Sequence, residues 1–186
     1  MPDLFTPEVP AATTAAGPRA LRILGLDLSI TAPGIACPNG DTVTITAKQP
    51  GDWRLMEIEA FIHTVVAEGV DYAVIEDLPT HAKAAGITGM VHGAIRLLLM
   101  TENVPYVVVT PATLKAYATG KGNADKTAMA LAAFKRTGRE FADDNQCDAW
   151  WLRAAGLDWY GAPEFDLPKA QRDRLAKAKW PQAVAR

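Results

Sequence analysis

The chain has 186 residues, 49% hydrophobic residues and a formal net charge of −2 at pH 7. This length suits one globular domain with a sizeable core, and the slightly acidic balance argues against a protein that coats nucleic acid nonspecifically. It does not exclude a phosphodiester enzyme, because such enzymes gather carboxylates in their sites. Two distant cysteines, Cys37 and Cys147, argue against a disulfide scaffold or a zinc site.

The first segment, 1–20, is rich in Ala, Thr and Pro and lacks the basic start and apolar core of a signal peptide, so we expect a disordered leader. The longest apolar runs, 97–100 and 104–109, are far shorter than the roughly 20 residues that cross a bilayer. The sequence therefore predicts no membrane contact and a cytoplasmic location.

Three strands open the folded part. The apolar segment from Leu21 to Leu28 predicts a buried strand, and a turn leads into a second strand from Ile35 to Pro38. Asn39-Gly40 is a strong hairpin signal, and alternation from Asp41 to Thr46 predicts a third, half-exposed strand. The pattern indicates an antiparallel meander.

Helices and strands then alternate. Asp52 is a candidate cap for a helix that ends near Gly69, and the next strand runs from Tyr72 to Leu78, parallel to the first by a right-handed crossover. A second helix from Gly86 to Glu102 precedes a strand from Pro105 to Val109.

Helical segments follow through Tyr117 and from Ala124 to Arg136, with a final helix from about Asp144 to Ala155. This order predicts the α/β class: a ribonuclease H-like fold with a mixed five-stranded sheet flanked by helices. Fold alone assigns no chemistry, since sugar kinases and chaperone ATPases share this topology. We place one domain at 21–157 and a basic C-terminal tail at 158–186, which is either a DNA arm or a disordered solubilising end.

Acidic residues mark the candidate site. Asp27 and Glu76 each end an apolar strand, so both should project at the carboxyl edge of the sheet, where Asp148 on the last helix would join them. Buried ionised acids without basic neighbours are costly unless cations lie between them, and carboxylates suit magnesium or manganese. Alternatively, Asp27 only bonds to the turn that follows it, and a one-residue slip would exchange Glu76 with Asp77.

Asp144 and Asp148 lie four residues apart and therefore share a helix face. Their repulsion would be relieved by a bound cation, which favours a functional pair. The alternative is that Asp144 merely caps the helix, because Asp143-Asp144-Asn145 is a typical capping cluster.

Two lysines are candidates for phosphate contact. Lys115 and Lys126 flank a loop with Gly120 and Gly122 before a helix N-terminus, an arrangement that suits close approach to phosphate. Two solvated lysines and a flexible turn would give the same spacing.

Taken in order and spacing, these motifs resemble the RuvC-type Holliday junction resolvases over Leu21 to Leu157. The resemblance is carried by Leu24-Gly25-Leu26-Asp27-Leu28-Ser29, Val74-Ile75-Glu76, Pro111 with Lys115, Thr119-Gly120-x-Gly122-x-Ala124-x-Lys126, and Asp148-Ala149. It implies a ribonuclease H fold, magnesium dependence, and a homodimer that nicks four-way DNA junctions symmetrically.

By motif, the resemblance implies that Asp27, Glu76 and Asp148 are metal ligands, that Lys115 and Lys126 are functional lysines, and that 86–102 is the dimer helix. The family's fourth acid falls at Asn145 here, with Asp144 one residue earlier, and Leu28 replaces a usual proline. Either Asp144 or Asn145 then assists. Such divergence is typical of a phage-encoded version with a broader range of branched substrates, acting in the host cytoplasm.

The sequence thus predicts a structure-selective DNA endonuclease that cleaves Holliday junctions by two-metal hydrolysis, with forks and flaps as further candidate substrates. Two rivals stay open. One is a branched-DNA-binding protein without catalysis, and the other is an ATPase or kinase of the same fold, for which a single domain is short.

Overall fold

The computed structural model describes residues 19–78 and 85–183. Its centre is a five-stranded mixed sheet of order β3-β2-β1-β4-β5, in which β2 pairs antiparallel with β1 and β3, while β1, β4 and β5 run parallel. The strands are β1 Ile23–Asp27, β2 Gly34–Ala36, β3 Thr42–Thr44, β4 Tyr72–Glu76 and β5 Tyr106–Val109. The predicted α/β architecture is confirmed.

Helices cover both faces of the sheet. They are α1 Trp53–Ala67, α2 Ala85–Thr101, α3 Pro111–Thr119, α4 Lys126–Thr137, α5 Asp144–Trp159 and α6 Lys169–Arg172, with a 3₁₀ helix at Asp173–Lys177. Among the helices of the described ranges, none is long and apolar enough to cross a membrane.

The prediction of a final helix ending near Ala155 is wrong. Helix α5 continues to Trp159, and two further helical turns follow it. Gly156 lies inside the helix, where a Cβ would come within 2.8 Å of both Ile23 and Val74. The glycine is therefore a packing requirement rather than a helix end.

Strand alternation sorts side chains onto two cores. In β1, Leu24 and Leu26 pack with α1 and α2, whereas Ile23 packs on the opposite face with α5. Because successive side chains alternate, Asp27 shares the α5 face with Ile23, and Glu76 shares it with Val74. The sheet thus directs both acids towards α5.

Helix α5 lies directly on the sheet. A Cβ on Gly25 would be 2.1 Å from the carbonyl oxygen of Ala149, and one on Gly34 would be 2.1 Å from that of Asn145. Backbone contacts this close leave no room for side chains between helix and strand. They fix the position of Asp148 relative to the ends of β1 and β4.

Residues after α5 fold back onto the domain. Leu167, Gln171 and Leu175 are buried, and the Trp180 ring stacks on Trp159 with centroids 5.1 Å apart. The described part of this segment, up to residue 183, is therefore packed, which does not fit the alternative of a disordered end. The predicted leader lies almost entirely outside the described residues.

Candidate functional site

Asp27 and Glu76 end neighbouring parallel strands. The register pairs Leu26 with Ile75, so the next residues, Asp27 and Glu76, lie side by side at the carboxyl edge. Their side chains share a hydrogen bond in which Glu76 holds the proton and Asp27 accepts it. Burial, followed by repulsion from Asp27 and Asp148, raises the pKa of Glu76 to about 9. Burial and the charge of Asp148 raise the pKa of Asp27 to about 6.

Asp148 completes a group of three carboxyls. It lies in the second turn of α5, and its charge raises the pKa values of Asp27 and Glu76. Burial raises its own pKa, while Lys115 and Lys126 act in the opposite direction. The structure thus brings together the three acids that the sequence singled out, from β1, β4 and α5.

Asp77 points away from this group. It lies near His92 of α2. Burial and the charge of Arg96 lower the pKa of His92, and the charge of Asp77 opposes this by a smaller amount. The register therefore places Glu76, and not Asp77, beside Asp27. Asp77 offers a matched control, because it is an acid one residue along the same strand end that faces the other core.

The idea that Asp144 caps α5 is wrong, because Asp143 is the cap. Its carboxylate accepts from the Gln146 backbone N–H at 2.9 Å and from the Thr44 hydroxyl at 2.7 Å. Asp144 is the first helical residue, and its carboxylate forms an ion pair with the Lys126 ammonium.

Asp143 is also an acid that sequence reasoning missed. Its charge raises the pKa of Asp27, so its carboxylate is close enough to act on the site. The signal in the sequence was its position immediately before a helix that begins at the acidic edge of the sheet. Asn145 packs its backbone against Gly34, as described above.

Both lysines reach the carboxyls from separate helices. Lys115, half-buried on α3, lowers the pKa values of Glu76 and Asp148. Lys126, the first residue of α4, lowers those of Asp27 and Asp148. The alternative of two solvated lysines with no shared role does not fit, because both lysines act on the same carboxyls. The Lys126 side chain is nevertheless 74% exposed.

Local sequence sets the positions of these helices. Thr110 caps α3 through the Thr113 backbone N–H, and Asp125 caps α4 through Ala128 at 2.8 Å. Gly120, with φ of 84°, ends α3 in the left-handed region that favours glycine. The turn between the helices is therefore fixed at both ends.

The three carboxyls of Asp27, Glu76 and Asp148 are chemically suited to bind divalent cations. Oxygen ligands of this kind suit magnesium and manganese. In the described part of the chain, no three His, Cys, Asp or Glu side chains already stand in an arrangement that could hold an ion. The proton shared by Glu76 and Asp27 has to leave before both can act as ligands, and a bound cation would relieve the same repulsion.

Comparison with known proteins identifies the fold of this chain. Neither a family model nor a curated protein matches the chain. Two similar solved structures are RuvC of Thermus thermophilus, at 19% identity, and T. thermophilus RuvC in complex with Holliday junction substrate, at 20%. Each superimposes with a TM-score of 0.63 and covers 78% of this chain and 99% of the other. The chain therefore has a RuvC-like, ribonuclease H-like fold, as predicted.

Proposed function

We propose that this protein is a metal-dependent, structure-selective DNA endonuclease that cleaves Holliday junctions. The observation that carries the proposal is the convergence of Asp27, Glu76 and Asp148, with Lys115 and Lys126 acting on the same carboxyls. It is supported by the shared fold with a RuvC solved in complex with Holliday junction substrate.

Asp27, Glu76 and Asp148 would hold two magnesium or manganese ions, and Asp144 is the fourth candidate ligand. When bound, such ions activate a water molecule and stabilise the leaving oxygen of a phosphodiester. The role of the chain is to position carboxylate oxygens rigidly. The backbone contacts between α5 and β1 supply that rigidity for Asp148.

Lys115 and Lys126 would neutralise the phosphate as it enters. Lys126 is paired with Asp144 and largely exposed, so its ammonium can exchange a carboxylate partner for a phosphate oxygen at little desolvation cost. Charge stabilisation of this kind contributes most when the charged groups are already near the phosphate, and the capped helices hold the backbone of Lys115 and Lys126 beside the carboxyls.

The basic C-terminal segment would extend the DNA-binding surface beyond the carboxyl site. Arg174 and Lys177 of the 3₁₀ helix line one cavity of about 390 Å³ together with Gly120 and Gly122 of the loop that precedes Lys126. Basic side chains beside a glycine loop suit a phosphate backbone, and we assign this segment to DNA contact.

A homodimer is part of the proposal. Helix α2 exposes a stripe of large apolar side chains, with Ile87 54%, Met90 46% and Leu97 65% exposed at helical spacing. An exposed apolar stripe of this kind marks an interaction surface. A twofold dimer would present two equivalent sites to a four-way junction.

Substrate choice would come from the shape and flexibility of the branch point rather than from extensive base reading. Forks and flaps are then the next candidate substrates. The phage origin and the cytoplasmic setting stay predictions.

The test uses end-labelled four-way, forked, flap and linear duplex DNAs with magnesium, manganese or chelator. Wild type is compared with Asp27→Asn and with the matched control Asp77→Asn. Paired symmetric nicks in the four-way substrate, lost in Asp27→Asn and kept in Asp77→Asn, support the proposal. Cleavage that survives Asp27→Asn or chelator refutes the assigned chemistry.

Binding without cleavage would favour the non-catalytic rival. One observation favours this rival: the site residues already bind one another, since Glu76 donates a hydrogen bond to Asp27 and Lys126 forms an ion pair with Asp144. If no metal ion opens this arrangement, the fold binds branched DNA and does not cut it.

A further inference from the structure

A groove begins at the carboxyl site and runs along α4. Its volume is about 580 Å³, and Lys126, Asp144 and Asp148 belong both to the groove and to the site. Its lining includes Leu131 and Phe134 of α4, and Arg139 and Phe141 from the segment between α4 and α5. The groove is therefore continuous with the place where the proposed function puts the scissile phosphate.

The lining combines charged side chains with two large apolar side chains that are half exposed. Leu131 is 48% and Phe134 50% exposed, although both lie beside charged groups. The Arg139 guanidinium lies 5.3 Å from the centroid of the Phe141 ring, which packs against the core through Trp150. Large apolar side chains left open next to a polar site indicate a ligand with an apolar surface.

Helix geometry places Phe134 close to the site but not at it. Lys126 and Phe134 are eight residues apart on one face of α4, which corresponds to about 12 Å along the axis. A strand whose phosphate lies at the carboxyls would therefore bring a base to Phe134 within a few nucleotides of the cut. Lys126 and Arg139 supply positive charge for the backbone on either side.

We propose that this groove binds an unstacked nucleobase of the cleaved strand, with Phe134 as the stacking surface and Leu131 beside it. The inference rests on the proposed function and deepens it, because it assigns a base preference near the cut. Every base has a flat face that stacks on an aromatic ring, while the polar edges can meet Arg139 and Glu140 at the rim. Enzymes that act on duplexes gain access by taking a base out of the stack, and branch points lower that cost.

The experiment is photocrosslinking with the full-length protein. Four-way junctions carry 5-iodouracil at one position at a time on the cleaved strand, in calcium, and the crosslinked residue is identified by mass spectrometry. We expect a crosslink to Phe134 from one or two adjacent positions near the cut. Crosslinks that map only to other surfaces, including the partner copy in a dimer, overturn the proposal.

Three substitutions separate stacking from packing. Phe134→Ala and Phe134→Leu should each lower kcat/KM on the preferred sequence by about tenfold and flatten the preference among the four bases at that position, whereas Phe134→Trp should retain both. Equal effects of Leu and Trp, or an unchanged base preference in Phe134→Ala, contradict stacking. If wild type cleaves no branched DNA at all, the proposed function itself fails, and that result is distinct from cleavage without a Phe134 effect.

Discussion

Replacing Glu76 by Gln should stabilise the metal-free protein at neutral and alkaline pH. The folded state raises the pKa of Glu76 from 4.5 to about 9, so between these values it keeps a proton that the unfolded chain has released. Because the native state then binds more protons, the free energy of unfolding falls as pH rises. For one titrating proton the slope is on the order of 1 kcal/mol per pH unit, so the loss between pH 6 and pH 8 is roughly 2–3 kcal/mol.

Thermal unfolding in the presence of chelator measures this effect. For a chain of this size, 1 kcal/mol corresponds to about 2–4 °C in Tm, so wild type should lose about 5–10 °C between pH 6 and pH 8 relative to Glu76→Gln. The difference between the two proteins cancels the titration of groups outside the site. Asp77→Asn is the control and should follow wild type, because its side chain faces the other core.

Magnesium adds a second arm to the same experiment. A cation bound between the carboxylates would replace the shared proton, so magnesium should flatten the pH dependence of wild type and have a smaller effect on Glu76→Gln. If Tm depended on pH in the same way for wild type and Glu76→Gln in chelator, the proposed repulsion between the buried carboxyls would be refuted.

Further predictions concern the lysines, the cap and the dimer. Lys115→Ala and Lys126→Ala should each lower kcat by about 10²–10³-fold and reduce the salt slope of DNA binding by about 1, measured by single-turnover cleavage and by titration at several salt concentrations. Asp143→Ala should destabilise the protein by about 0.5–2 kcal/mol in urea because it removes the α5 cap, whereas Asp144→Ala should change stability by less than about 0.5 kcal/mol. Equal losses would contradict the cap assignment. Leu97→Glu should convert a dimer into a monomer in sedimentation, and an unchanged mass would exclude α2 as the interface.

Much of the fold follows from the sequence because its signals are local and periodic. The Asn39-Gly40 hairpin and the alternation of β1 and β4 determine which residues face which core, and a right-handed crossover makes the two strands parallel. Asp27 and Glu76 then meet at one edge without further information. Asp148 follows, because α5 has to cover that edge.

What the sequence did not reveal depends on tertiary contacts. Each of the consecutive polar residues 143–145 can cap a helix, and the hydrogen bond from the Thr44 hydroxyl of β3 favours Asp143. The continuation of α5 past Ala155 depends on the close packing of Gly156 against Ile23 and Val74. The groove at Phe134 is formed where α4 packs near the residues from Arg139 to Asp148, and residue spacing along the chain does not show that this packing leaves Leu131 and Phe134 exposed.

The most direct measurement of the central claim is single-turnover cleavage of a synthetic four-way junction by wild type and Asp148→Asn, in magnesium and in chelator. The account predicts paired symmetric nicks by wild type in magnesium alone, and a rate at least about 10³-fold lower for Asp148→Asn. Equal cleavage by the two proteins, or cleavage that persists in chelator, would contradict it.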